Sequence, residues 1–172
     1  MTTSSRSSWL KPAIACAVLL ALVGGAYVTM MQRVAAPSVT FLDLTGKRIT
    51  SESLRGKVVM VNFWATDCAT CVKEMPQMVE TYNKFKGQGL EFVAVAMRYD
   101  PPNYVLNYVA DRKLPFTVAL DTDGKLAKSF GDVALTPTTY VIDKDGKILK
   151  RYVGEPEFPA LHALLAKALA AS

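Results

Sequence analysis

Cys68-Ala69-Thr70-Cys71 closely follows an apolar run, Val58-Val59-Met60-Val61-Asn62-Phe63-Trp64, and opens a helical pattern. A C-x-x-C pair at such a strand-to-helix junction has the form of a thiol–disulfide redox site. Two intervening residues let both sulfurs meet in the first turn of a helix. The partial positive charge of a helix N-terminus favours a thiolate on the first cysteine. Cys68 is therefore the expected nucleophile and Cys71 the resolving thiol. Half of a zinc site is a competing reading, but it needs two further ligands. The remaining cysteine and histidine, Cys16 and His162, lie at opposite ends of the chain. A purely structural disulfide is a second competitor, and so short a loop gains less from crosslinking than a long one. The pair reads best as a redox-active dithiol that needs neither metal nor separate cofactor.

The segments around this pair alternate between strand and helix patterns. Residues 39–50 read as a short hairpin turning at Thr45-Gly46. Lys57 to Trp64 is nearly all apolar, as expected of a strand buried on both faces. Apolar positions at Cys71, Met75, Met78, Tyr82 and Phe85 define one helix face, with Pro76 expected to interrupt and kink that helix. Leu90 to Met97 is a second strand, and Pro101-Pro102 opens a helix through Tyr104, Val105, Tyr108 and Val109. A third strand spans Phe116 to Leu120, and a short helix Leu126 to Phe130. Thr138 to Val153 is a hairpin with a D-G turn, and a last helix covers Phe158 to Ala170. This order predicts an α/β fold: a central mixed sheet flanked by helices, closed by an antiparallel hairpin.

The start of the chain is different. Residues 12–31 carry no charge, and about twenty apolar residues suffice for one membrane-spanning helix. Arg6 and Lys11 precede the run and Arg33 follows it. The positive-inside rule then places residues 1–11 in the cytoplasm, residues 12–31 in the membrane as an anchor, residues 32–38 as a linker, and the domain 39–172 on the far side. A cleaved signal peptide is the rival. The run exceeds a usual signal core, and Pro37 would follow directly on the small residues Val34-Ala35-Ala36, which disfavours cleavage. A domain outside the cytoplasm sits where disulfides persist.

The formal net charge of +5 does not describe a nucleic-acid binder. Arg6, Lys11 and Arg33 precede Val39, leaving seventeen basic residues against all fifteen acids. A nearly balanced domain has no large basic field. Lys144, Lys147, Lys150 and Arg151 alternate with acids and apolar residues and read as a solvated hairpin face.

Val61-Asn-Phe-Trp-Ala-Thr-Asp-Cys-Ala-Thr-Cys-Val-Lys-Glu-Met-Pro and Leu135-Thr-Pro-Thr-Thr-Tyr-Val-Ile-Asp, in this order, give the chain a further likeness. Over residues 38–170 it resembles the thioredoxin superfamily, and within it the membrane-anchored TlpA/ResA-like thiol–disulfide oxidoreductases of bacteria. The resemblance implies a thioredoxin-like fold with an extra N-terminal β-hairpin, preceded by one transmembrane helix. It places Cys68 and Cys71 as the redox pair, and Pro137 as a cis-proline facing the dithiol, with Thr136 before it. It matches Glu74 to an acidic residue near the thiols, which could shuttle protons; the competing reading is a surface glutamate favoured by the helix dipole. Trp64 matches an aromatic packed beside the site, where a core role is also sufficient. Asp67 departs from the pattern, which usually has an aromatic before the first cysteine. Its charge would disfavour the Cys68 thiolate, unless it caps the helix instead.

The resemblance further implies a periplasm-facing reductase of protein disulfides, in a bacterial inner membrane. Its substrates would be cytochrome c precursors or a copper-site assembly protein, and a membrane thiol reductant of the DsbD/CcdA kind would reset it. A Cu(I) chaperone using the dithiol and a peroxiredoxin-type peroxidase are the alternatives. The second lacks its T-x-x-C motif here.

Overall fold

The computed structural model describes residues 34–171. A two-stranded hairpin comes first, β1 (Thr40–Leu42) and β2 (Arg48–Thr50), paired antiparallel. The central strand β3 (Val58–Trp64) leads into helix α1 (Ala69–Phe85), and β4 (Leu90–Ala96) leads into α2 (Pro102–Arg112). Then follow β5 (Thr117–Leu120), the short α3 (Lys125–Ser129), β6 (Thr138–Ile142), β7 (Ile148–Val153) and α4 (Phe158–Ala170).

The five main strands form one sheet in the order β5-β4-β3-β6-β7. β3, β4 and β5 are parallel neighbours, whereas β6 runs antiparallel to β3, and β7 to β6. This is the mixed sheet the sequence predicts. Every residue of β3 is buried, because helices cover one side and α3 with the β1–β2 hairpin covers the other. Successive β3 side chains alternate between these layers. Val58, Met60 and Trp64 join Cys71, Met75 and Met78 of α1 and Leu161 and Leu165 of α4 in one cluster. Val59, Val61 and Phe63 join Phe41, Leu126 and Phe130 in the other. Leu161 and Leu165 have no exposed surface, and each contributes roughly 2 kcal/mol by leaving water.

Several expectations change on inspection. Pro76 does not interrupt its helix, since α1 continues through it as one element. Its ring is exposed, and it removes the N–H that would bond the carbonyl four residues earlier. Tyr104 is exposed while Val105 is buried, so the packed stripe of α2 is narrower than its apolar residues suggest. Lys144 is not simply solvated. Its Nζ donates to the Leu169 carbonyl at 3.0 Å, and also to that of Ala171, placing a cation at the negative end of α4.

The segment assigned to the linker also participates. Val34 and Ala36 pair with Ile148 and Gly146 across the β6–β7 turn, each bond 2.8 Å. Gly146 makes that turn with φ +73°, and the Arg55 guanidinium occupies the space a Cβ would take. Among the described residues no helix is long and apolar enough to cross a membrane. The expected anchor at residues 12–31 lies outside them.

Candidate active site

Strand β3 ends at Trp64, and the chain turns through Ala65-Thr66-Asp67 before α1 begins. Cys68 is the N-cap of α1, in an extended conformation (φ −85°, ψ 103°), and its Sγ accepts the Cys71 N–H at 3.2 Å. Capping by Asp67 is thereby corrected: Cys68 already supplies the acceptor, and the Asp67 side chain is exposed. The two cysteines are joined as a disulfide with Cα atoms 5.2 Å apart. Cys71 is completely buried and Cys68 is half-buried. Substrate can therefore reach Cys68, and Cys71 can reach only Cys68.

The second wall comes from the start of β6. Phe63 is in register with Thr138, so Pro137 lies at the end of β3 from which the cysteine loop springs. The Thr136–Pro137 peptide is cis. The segment is tied down on both sides: the Thr138 hydroxyl donates to the Leu135 carbonyl at 2.7 Å, and Gly154 N–H donates to the Pro137 carbonyl at 2.8 Å.

Glu74 is one turn beyond Cys71 and shares its inward face. It is fully buried, which overturns the reading of a surface glutamate. Asn62 of β3 donates through Nδ2 to Glu74 Oε1 at 3.1 Å and to Thr139 Oγ1 at 2.9 Å. Burial pushes the Glu74 carboxyl up to about 8; the Asn62 hydrogen bond opposes this and the nearby Glu155 charge adds to it. Such a group can hold or release a proton near neutral pH. Trp64 is a core residue as well as a neighbour of the site, its ring 5.2 Å from that of Tyr108.

The sequence reasoning missed Asn62, Thr139 and Asp100. Asn62 was signalled by being the one polar residue in an apolar central strand. Asp100 is buried at 5% exposure and accepts from both the N–H and the hydroxyl of Thr66. Its turn also carries Tyr99, whose hydroxyl lies 3.3 Å from Thr136 Oγ1. The turn thus touches both the cysteine loop and the proline loop. His162 belongs elsewhere, against Thr81 on α1. Among the described residues no three His, Cys, Asp or Glu side chains are grouped to hold a metal ion.

The Redoxin family matches residues 32–165, most of the chain. The chain is a member of the Redoxin family. This Redoxin-family protein is 40% identical over 132 residues to the thiol-disulfide oxidoreductase ResA of Bacillus thuringiensis subsp. konkukian (strain 97-27), spanning 77% of this chain and 75% of that one. Among solved structures it is similar to a candidate thioredoxin from Neisseria meningitidis, with TM-score 0.76 and 40% identity over 82% of this chain and 93% of that one. It is also similar to a thioredoxin-family thiol:disulfide interchange protein from Chlorobium tepidum TLS, with TM-score 0.73 and 30% identity over 81% and 98%. The Redoxin-family chain therefore has a thioredoxin-like fold and is a thiol–disulfide oxidoreductase of the ResA type.

Proposed function

We propose that the protein is a membrane-anchored reductase of protein disulfides whose catalytic domain faces the periplasm. The observation that carries the reading is the unequal exposure of a joined cysteine pair at the start of α1, with a buried carboxyl one turn behind it. In the reduced protein the Cys68 thiolate attacks one sulfur of a substrate disulfide. A mixed disulfide forms, and the departing substrate thiolate takes a proton from solvent. Cys71 then gives its proton to the Glu74 carboxylate and attacks the Cys68 sulfur. The second substrate thiolate leaves, and Cys68–Cys71 is oxidised by two electrons. The Thr136–Pro137 segment offers the backbone edge along which substrate lies, and Trp64 fixes the floor beneath. The dithiol is itself the redox group, and the cycle calls for no separate cofactor.

A membrane thiol reductant of the DsbD/CcdA kind resets the pair, and an anchor at residues 12–31 would keep the domain beside it. Cytochrome c precursors and copper-site assembly proteins are the substrates this reading favours. The test is a reporter fused after Ser172, combined with the potential of the Cys68–Cys71 couple in a glutathione or dithiothreitol series. Reporter activity outside the cytoplasm and a potential below that of the substrate disulfide support the reading. A cytoplasmic reporter, or a potential above the substrate's, removes it.

A further inference from the structure

A polar side chain in the middle of the central strand requires an explanation. Asn62 interrupts the apolar row Val58, Met60, Trp64 on the face toward α1 and is completely buried. Burying an amide there is unfavourable unless its polar atoms are used. Nδ2 is used twice, on Glu74 and on Thr139. Asn62 Oδ1 and Glu74 Oε2 are buried with no hydrogen-bond partner among the described residues. Thr139 Oγ1, the Asn62 amide and Glu74 Oε1 thus form an open row, with Asn62 Nδ2 bonded to both neighbours.

We propose that Asn62 is a positioning residue for Glu74 and that its amide turns over whenever Glu74 gains or loses a proton. A carboxylate accepts only, so it needs the NH₂ end of the amide. A carboxylic acid also has an O–H to donate, which the carbonyl end can accept and the NH₂ end cannot. A half-turn about the last side-chain bond exchanges the two ends without moving the strand. Thr139 makes the exchange possible, because its hydroxyl accepts from NH₂ in one setting and donates to the carbonyl in the other. An apolar residue at position 62 would serve neither state, and a fixed donor would serve only one. The charge acting on the carboxyl is that of Glu155, before α4, which pairs with Lys73 at 2.7 Å, and Cys71 is a buried residue of the same helix three positions earlier. From β3 the carboxyl receives the neutral Asn62, and Thr139 of β6 is bonded to Asn62 in turn. The inference rests on the proton-relay role given to Glu74 above.

The experiment is a pH titration of the full-length protein by NMR, with ¹³C on glutamate carboxyls and ¹⁵N on asparagine side chains. The Asn62 NH₂ signals are expected to move with the same midpoint as the Glu74 carboxyl. In Asn62→Leu the Glu74 midpoint rises by about one pH unit, a tenfold loss of carboxylate below it. The pH profile of mixed-disulfide resolution should rise by the same amount. In Thr139→Val, which keeps the Asn62–Glu74 pair, Glu74 titrates while the Asn62 signals move less than in the wild type. Asn62 signals that stay fixed while wild-type Glu74 titrates would overturn the inference and leave the relay intact. An unshifted midpoint in Asn62→Leu would do the same. A resolution rate indifferent to Glu74→Gln removes the relay reading and this inference together. The wild-type measurement decides even where a variant fails to fold.

Discussion

Asp100 holds Thr66 twice, one carboxylate oxygen on the backbone N–H and the other on the hydroxyl, each at 2.6 Å. The two residues are 34 positions apart and meet because β3 and β4 are parallel and end side by side. Thr66 is two residues before Cys68, so the turn after β4 fixes the approach of the cysteine loop. Asp100→Ala removes two hydrogen bonds to a buried charged group and should destabilise the oxidised protein by about 2–4 kcal/mol. Thr66→Val, which loses only the hydroxyl bond, should cost about 1–2 kcal/mol. Chemical denaturation of both variants measures this. Equal losses in the two would show that the backbone N–H bond contributes nothing.

The order of attack follows from exposure. Cys71→Ser should accumulate mixed disulfides through Cys68, because the second attack is lost. Cys68→Ser should accumulate few, since the Cys71 sulfur is sealed from solvent. Alkylation of the reduced wild type should modify Cys68 first. Mass spectrometry of the trapped and alkylated species checks the assignment, and preferential labelling of Cys71 would reverse it.

Much of this arrangement is legible in the chain, for identifiable reasons. The nearly all-apolar run of β3 reads as a strand covered on both sides, and the C-x-x-C spacing lets the two sulfurs meet in the first helical turn. The position of Glu74 is also encoded: it lies three residues after Cys71 and four before Met78, so it shares the buried face. Its charge suggests surface, and periodicity prevails because Asn62 receives it. The Asp100–Thr66 pair is not legible. Asp100 lies in an ordinary-looking turn, Arg98-Tyr99-Asp100-Pro101, and its partner is set by strand register, which no local pattern records. The cysteine N-cap is hidden similarly, since aspartate is the usual capping residue and Asp67 stands next to Cys68.

Glu74 should also leave a mark on stability. Its folded carboxyl is raised to about 8 from an ordinary 4.5, chiefly by burial. The folded state therefore holds a proton that the unfolded state releases above about pH 4.5. Stability from this group is complete below that pH and is lost as the pH rises through about 8. The loss is on the order of 3–5 kcal/mol between the two limits. Glu74→Gln, which cannot ionise, should flatten the profile and be the more stable protein at pH 9. Urea midpoints from pH 4 to pH 9 test this, and parallel profiles for the two proteins would mean that the buried carboxyl does not titrate in this range.

Asp67 stands beside the attacking cysteine without capping the helix, so its remaining influence on Cys68 is that of an exposed negative charge one residue away. Such a charge disfavours a thiolate, and solvent weakens the effect. Asp67→Asn should lower the Cys68 pKa. Above that pKa a more stable thiolate stabilises the reduced form, so the couple becomes more oxidising. Because the carboxylate is exposed, the difference between the two proteins should shrink as salt is raised toward about 1 M, where the screening length falls to about 3 Å. The measurement is the pH dependence of Cys68 alkylation in both proteins at low and high salt, together with their potentials. A difference that persists unchanged in high salt would point to a rearranged loop rather than to charge, and an unchanged or raised pKa would mean that Asp67 does not act on the thiolate.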